Sequence, residues 1–451
     1  VGGRRAEIAG SGVLAAEEPV ARAIALDQSV REQLRALLSS GEHDVAAQTR
    51  DAVAVGDELE RVWEYDAEGP VAHLRAHLGN PGADVLAAER PPLPDGFGAI
   101  AVPSEAGHVA LLSADGAEVA RAEVEAAVHD VCIADIDDDG SPEMLLARAD
   151  STLECRNPDG STRWLYQPET QTATNTALFI RSNPALYTFV VEHEDGEKTV
   201  CVATGDQRLH GLTPDGERKW MFWSYAGLFG IHGLYDVDGD GVREIVGGNP
   251  EVSSTDALFF LDLAGHNLRD DGHVSYLRRV LNDGWGSTLS SMAIADIDRD
   301  GRHEIAFGTG RASLYAAAPT LEDDGRVFQH KLGDDVRGCE VIRDADGSPL
   351  IVTGSTSEFL TAFAGSGEKR WATAVGGPVM EMTSAVIGGE QAVVAALSSG
   401  DVLVIGADGE IAWRGEVAGR PAALAVTAGA APLIVVANEA GIVTAFEVPG
   451  V

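Results

Sequence analysis

"VCIADIDDDGSPEMLLA" (131–147), "HGLYDVDGDGVREIVGG" (232–248) and "MAIADIDRDGRHEIAFG" (292–308) are three copies of one pattern. Each passes from an apolar strand through an acidic turn ending in glycine into a second apolar strand. That is a β-hairpin with carboxylates in its connection. Self-similarity on this scale is the mark of a repeat architecture, and it sets the frame for the rest of the chain.

A second repeat falls in register with the first. Gly160–Trp164, Gly216–Trp220, Gly367–Trp371 and Gly409–Trp413 all fit G-x-x-x-W. Each follows a short strand and a tight turn, as in the last hairpin of a four-stranded unit. The tryptophans read as packing between neighbouring units, with a stacked quinone as the remote alternative. Together the repeats give units of about 40 to 60 residues, the spacing of propeller blades. Blades are expected to start near Val71, His129, Leu186, Gly230, Ser290, Val336, Val379 and Ala422.

The eighth unit ends at "GIVTAFEVPGV" and lacks its G-x-x-x-W strand, while "DELERVWEY" around Trp63 precedes the first blade. An N-terminal strand closing the last blade would remove the free sheet edges. The reading is therefore an all-β propeller over 57–451, with eight blades favoured over seven. Residues 1–56 form a partly helical extension. Leu26, Val30, Leu34, Leu37 and Leu38 share one face there. That helix would pack on its own propeller, trail as a tail, or dock a partner or a second copy of the chain.

Composition bounds the function. Of 451 residues, 45% are hydrophobic, which is enough for a full core. No stretch approaches the roughly 18 apolar residues that a membrane span needs. Lys+Arg 33 against Asp+Glu 71 gives a net charge of −38, which repels nucleic acid and anionic membranes. Only Lys198, Lys219, Lys331 and Lys369 are lysines. High acid with little lysine resembles salt-adapted proteins, and a GC-rich genome would give the same bias. Cys132, Cys155, Cys201 and Cys339 show no CxxC spacing, so they read as buried thiols rather than zinc ligands. Val1 opens the chain with no visible signal peptide, which suits a removed leader or a fragment.

The acidic turns carry the chemistry. They read D-x-D-x-D-G-x-x-E: Asp135, Asp137, Asp139 and Glu143; Asp236, Asp238, Asp240 and Glu244; Asp296, Asp298, Asp300 and Glu304. Calcium takes six to eight hard oxygens in flexible geometry. Alternate acids in a tight loop converge on one point, glycine permits the reversal, and the glutamate closes the cage. Four such acids without a cation would repel one another strongly. Three calcium ions are therefore expected. The third blade puts Val191 and Thr199, and the sixth Ile342 and Leu350, in place of the outer acids. The turns around Asp195 and around Asp344 and Asp346 are not expected to hold calcium well.

These loops resemble the calcium loops of FG-GAP or VCBS-type propellers, the repeat class of integrin α-subunits and many secreted microbial proteins. The resemblance is close over the second, fourth and fifth blades. The last two blades are more similar to PQQ-like repeats. It implies a calcium-stabilised binding or scaffold module at the cell surface or outside the cell, with protein or carbohydrate partners.

An enzyme reading stands beside it. The connections "WLYQPETQTATNT", "WMFWSYAGLFGIH" and "YLRRVLNDGWGST" are rich in aromatics, among them Trp223, Tyr225 and Trp285. His129, His232, Arg337 and Glu381 lie near the starts of inner strands. Aromatics beside His, Tyr and Arg suit a carbohydrate site, with His232 or Tyr225 transferring a proton and Trp223, Trp285 and Arg337 binding. Some polysaccharide lyases are calcium-bearing propellers, an analogy at the level of fold. A structural subunit of a surface assembly is the third reading.

Overall fold

The computed structural model describes residues 56–76, 85–86, 99–168, 185–193, 195–205, 208–223, 231–248, 258–266, 268, 289–310, 312–320, 325–427, 429 and 431–450. Every regular element among them is a β-strand. The helix expected around 18–39 lies outside the described residues, as does the extension as far as residue 55.

The strands follow the repeats. In blade two, Val128–Ala134, Glu143–Arg148, Leu153–Arg156 and Thr162–Tyr166 pair in that order as one antiparallel sheet. The meander recurs in blade three from Ala185–Glu192 to Arg218–Trp223 and in blade five from Leu289–Ala295 to Arg326–Lys331. It recurs again in blade six from Val336–Arg343 to Lys369–Ala374 and in blade seven from Val379–Ile387 to Ile411–Glu416. Blade four shows three strands among the described residues, Ile231–Tyr235, Glu244–Gly248 and Leu258–Leu261. With blades one and eight the sheets number eight, and the protein is an eight-bladed β-propeller.

Blades two to eight begin within one residue of the starts read from sequence. Blade one departs from the pattern. Its inner strand is only Arg75–Ala76, and the next, Ile100–Ser104, follows after a long insertion. Within that insertion Val85–Leu86 pairs with the inner strand of blade five, Leu86 opposite Ile294.

Eight buried apolar clusters hold the ring, one at each interface between neighbouring blades. The alternation of strand side chains explains the arrangement. In Leu289–Ala295, Ile294 packs toward blade four while Ala293 and Ala295 pack toward blade six. Inner strands are thus buried on both faces, so they read as unbroken apolar runs. Cys132, Cys155, Cys201 and Cys339 lie in this core as free, buried thiols.

Closure comes from the start of the described chain. Glu60–Asp66 pairs antiparallel with Ile442–Glu447, with Arg61 opposite Phe446, Trp63 opposite Ala445 and Tyr65 opposite Val443. Just before it, Asp57–Glu58 adds in parallel to the outer strand of blade seven, opposite Trp413 and Arg414. Leu59, 4% exposed, fills the seam between blades seven and eight.

The G-x-x-x-W repeat acts between blades. The Trp164 indole donates to Pro214 O at 2.8 Å, Trp220 to Leu263 O at 3.0 Å and Trp371 to Ala407 O at 2.8 Å, and Trp63, without the glycine, donates likewise to Ala114 O at 2.9 Å. In each case the ring lies under the last turn of the next blade. Gly216 sits on Trp164 with φ +81°, and a Cβ there would meet ring atom Cδ2 at 2.7 Å. Gly160 has a similar φ of +84° but open space around it. Gly160→Ala is therefore expected to cost about 1 kcal/mol, from backbone conformation alone. Gly216→Ala adds a clash inside a packed seam and is expected to cost about 2–4 kcal/mol. Urea unfolding of the two variants measures the difference, and equal costs would count against the clasp.

Candidate metal centres

The three acidic turns fold alike because their side chains satisfy the turn's own N–H groups. The first aspartate accepts from the glycine: Asp135 Oδ2 from Gly140 N at 2.9 Å, Asp236 from Gly241 at 3.0 Å, Asp296 from Gly301 at 3.1 Å. The third accepts two residues ahead, from Ser141, Val242 and Arg302, at 2.7, 2.7 and 2.8 Å. The glutamate opens the second strand and accepts from the residue after the first aspartate. Ile136, Val237 and Ile297 donate to Glu143, Glu244 and Glu304 at 3.1, 2.7 and 2.9 Å. Gly140, Gly241 and Gly301 hold φ of +86°, +92° and +91°, which any other residue adopts at a cost.

Ligand-sized groups follow from this geometry. Asp135, Asp137 and Glu143 place carboxylate oxygens within 4.8 Å of one another, as do Asp236, Asp238 and Glu244, and Asp296, Asp298 and Asp300. Asp139, Asp240 and Glu304 stand outside these trios in their own loops. Asp139 and Asp240 are exposed. Glu304 is 2% exposed, as buried as Glu143 and Glu244.

Electrostatics separates the loops. Burial, followed by the neighbouring aspartates, pushes Glu244 and Glu304 up to about 7. Among the described residues no lysine or arginine forms an ion pair with the acids of blades four and five. Asp296 Oδ1 in blade five, like Asp135 Oδ1 in blade two, is buried with no hydrogen-bond partner among the described residues. An all-oxygen donor set with excess negative charge and an orphaned buried oxygen fits a hard divalent cation. In blade two the Arg163 guanidinium lies 2.7 Å from Asp137 and 3.4 Å from Glu143. Lys198 of blade three donates to Asp135 O at 2.7 Å and pairs with Asp138.

Blade three holds a group missed in the sequence. His193, Asp195 and Glu197 come within the same 4.8 Å limit. Lys219 donates to Glu197 at 2.6 Å, and His193 shares a 2.8 Å hydrogen bond with Thr199. In blade six Asp344 Oδ1 accepts from Asp346 N and Ser348 N at 3.0 and 2.8 Å, an ordinary turn.

The candidate ligand face is only partly described. Tyr225 and Trp285 lie outside the described residues. Trp223 ends the outer strand of blade three opposite Arg208, and His232 pairs with Gly247 in blade four. Arg337 occupies a β-bulge at the start of the inner strand of blade six, 3.8 Å from Asp335. His129 occupies the matching bulge of blade two, whereas His232 has no bulge beside it, so the two histidines are not one repeated feature.

Fold and loops together define a β-propeller with acidic, metal-sized turns. A family profile described as the lambda-carrageenase beta-propeller domain matches residues 100–224, most of blade one with blades two and three. Two curated lambda-carrageenases are each 22% identical, from Pseudoalteromonas carrageenovora over 257 residues and from a Pseudoalteromonas sp. over 256. The matches cover 52% of this chain and 25% of the relatives, so the chain spans about a quarter of their length. Among solved structures, Sqt1 of Saccharomyces cerevisiae superposes with a TM-score of 0.63 at 11% identity, covering 87% of this chain and 100% of that one. BamB from Moraxella catarrhalis gives 0.54 at 15%, covering 86% and 100%. At such identities the likeness is one of fold. Among the described residues no helix is long and apolar enough to cross a membrane.

Proposed function

We propose that this chain is a calcium-stabilised propeller module that binds carbohydrate at the cell surface or outside the cell. The observation that carries the carbohydrate part of the proposal is the likeness of residues 100–224 to the lambda-carrageenase propeller, and the calcium part is supported by the carboxylate trios of the acidic loops. Calcium has a structural role in this reading. It neutralises clustered carboxylates and pins the hairpins that set the blades. Extracellular calcium is plentiful enough to fill even weak sites.

The same likeness favours a second reading, a carbohydrate-active enzyme. Its acid–base candidates are His232 and Tyr225, with Trp223, Trp285 and Arg337 on the ligand. Affinity electrophoresis through gels containing lambda-carrageenan or neutral polysaccharides tests binding, and release of reducing ends tests cleavage. A net charge of −38 opposes a polyanionic glycan, so retardation by carrageenan should strengthen with salt. Retardation by no polysaccharide would remove the binding reading. Cleavage that survives both His232→Ala and Tyr225→Phe would remove those residues from the chemistry.

A further inference from the structure

We infer that Arg163 is the resident counter-ion of the blade-two loop, so that only the acidic loops of blades four and five take a divalent cation tightly. The inference rests on the calcium reading above and assigns the choice between loops to a single repeated position.

That position is a β-bulge in the outer strand, just before the tryptophan. In blade two Arg156 pairs with Thr162 and Cys155 with Trp164, which leaves Arg163 unpaired between them. A bulge frees its residue from the ladder and re-aims the side chain. The Arg163 guanidinium enters the loop, 2.7 Å from Asp137 Oδ2 and 3.4 Å from Glu143 Oε1, and also lies 3.6 Å from Asp215 of the next blade. Asp137 and Glu143 are two of the three acids in that loop's metal-sized trio. Positive charge therefore already stands where a cation would bind.

Blade three repeats the device. Leu212 pairs with Arg218 and Gly211 with Trp220, leaving Lys219 at the bulge. Its ammonium donates to Glu197 at 2.6 Å and to Thr199 at 3.2 Å, and Thr199 holds the place of the cage glutamate. In blade five the pairs are Ala317 with Arg326 and Ala316 with Phe328, so the bulge residue is Val327. Val327 is 39% exposed and brings no charge, and no ion pair to the blade-five carboxylates occurs among the described residues. The residues after 268 that complete blade four lie outside the described residues, and no ion pair to Asp236, Asp238 or Glu244 occurs among the described residues.

The guanidinium supplies charge but not every bond. Asp135 Oδ1 remains buried without a hydrogen-bond partner. Blade two is thus a latent site that a metal enters only by displacing Arg163.

Calorimetric titration of the chelator-treated full chain with calcium chloride, with native mass spectrometry for the count, tests this. The expected result is two tight ions, with a third at least about tenfold weaker. Arg163→Met should bring the third to the affinity of the others, and Arg163→Lys should keep two. The reciprocal Val327→Arg should weaken the blade-five site by at least about tenfold, which keeps the inference testable should Arg163→Met fail to fold. Three equivalent ions on the unaltered chain, or two on Arg163→Met, would overturn the role of Arg163 while leaving calcium binding in place. No ion on any of these proteins would overturn the calcium reading and this inference together.

Discussion

Removing residues 1–66 is expected to abolish the cooperative melting of the whole ring. The cut takes the outer strand of blade eight and leaves the Ile442–Glu447 edge open, with Val443, Ala445 and Phe446 losing their cover. An apolar, unpaired edge templates association with other chains. The same segment binds both neighbours of blade eight. Leu59 N donates to Arg414 O at 2.8 Å and Arg61 to Glu416 O at 2.8 Å, on blade seven. Tyr65 donates to Glu118 at 2.6 Å and the Trp63 indole to Ala114 O at 2.9 Å, on blade one. Trp63→Ala alone should cost about 3 kcal/mol by emptying one clasp. Circular dichroism melting with size-exclusion chromatography reads both outcomes. A truncated chain that stays monomeric and melts within about 2 °C of the full chain would show that the ring does not depend on this closure.

Chelation has the second largest expected effect. A ligand that binds only the folded state contributes about 2.7 kcal/mol at a hundredfold excess over Kd, so two independent sites contribute about 5 kcal/mol. For a chain of this size that corresponds to a fall of about 5–10 °C in melting temperature. High monovalent salt should restore part of it by screening the clustered acids. Asp298→Ala, which removes one candidate ligand from blade five, should reproduce about half of the chelation effect.

The metal-free protein should also depend on pH in a set direction. Glu244 and Glu304 are raised to about 7 in the folded state, above the ordinary glutamate value of about 4.3. Their contribution is fully present below about pH 4.3 and is lost as pH rises through about 7. Calcium competes with those protons, so its stabilising effect should grow over the same interval. A scan unchanged by excess chelator at low salt, after confirmed metal removal, would deny calcium a structural role.

Blades two to seven were legible because each carries an acidic turn, a G-x-x-x-W or both. Acids at alternate positions and glycine at a fixed offset mark the hairpins, and the recurring G-x-x-x-W marks the last turn of a blade. Blade one was not legible, since the insertion between Ala76 and Ile100 separates strands that elsewhere form a tight hairpin. The acidic turns were legible as repeats by their spacing, but not which three acids of each would come together. Side-chain placement decides that, since the burial of the glutamate and the turn hydrogen bonds are alike in all three loops. Least visible were the cations. Arg163 lies 26 residues from Asp137 in sequence and Lys219 lies 22 from Glu197. Both reach their loops through a bulge that exists only once outer strands pair.

The most direct test of the account is a crystal structure grown in millimolar calcium, with anomalous data collected to locate the ions. The expected result is one ion in each loop of blades four and five, about 2.3–2.6 Å from the oxygens of Asp236 and Asp238 and of Asp296 and Asp298. Well-ordered loops in blades four and five with no ion in either would contradict it.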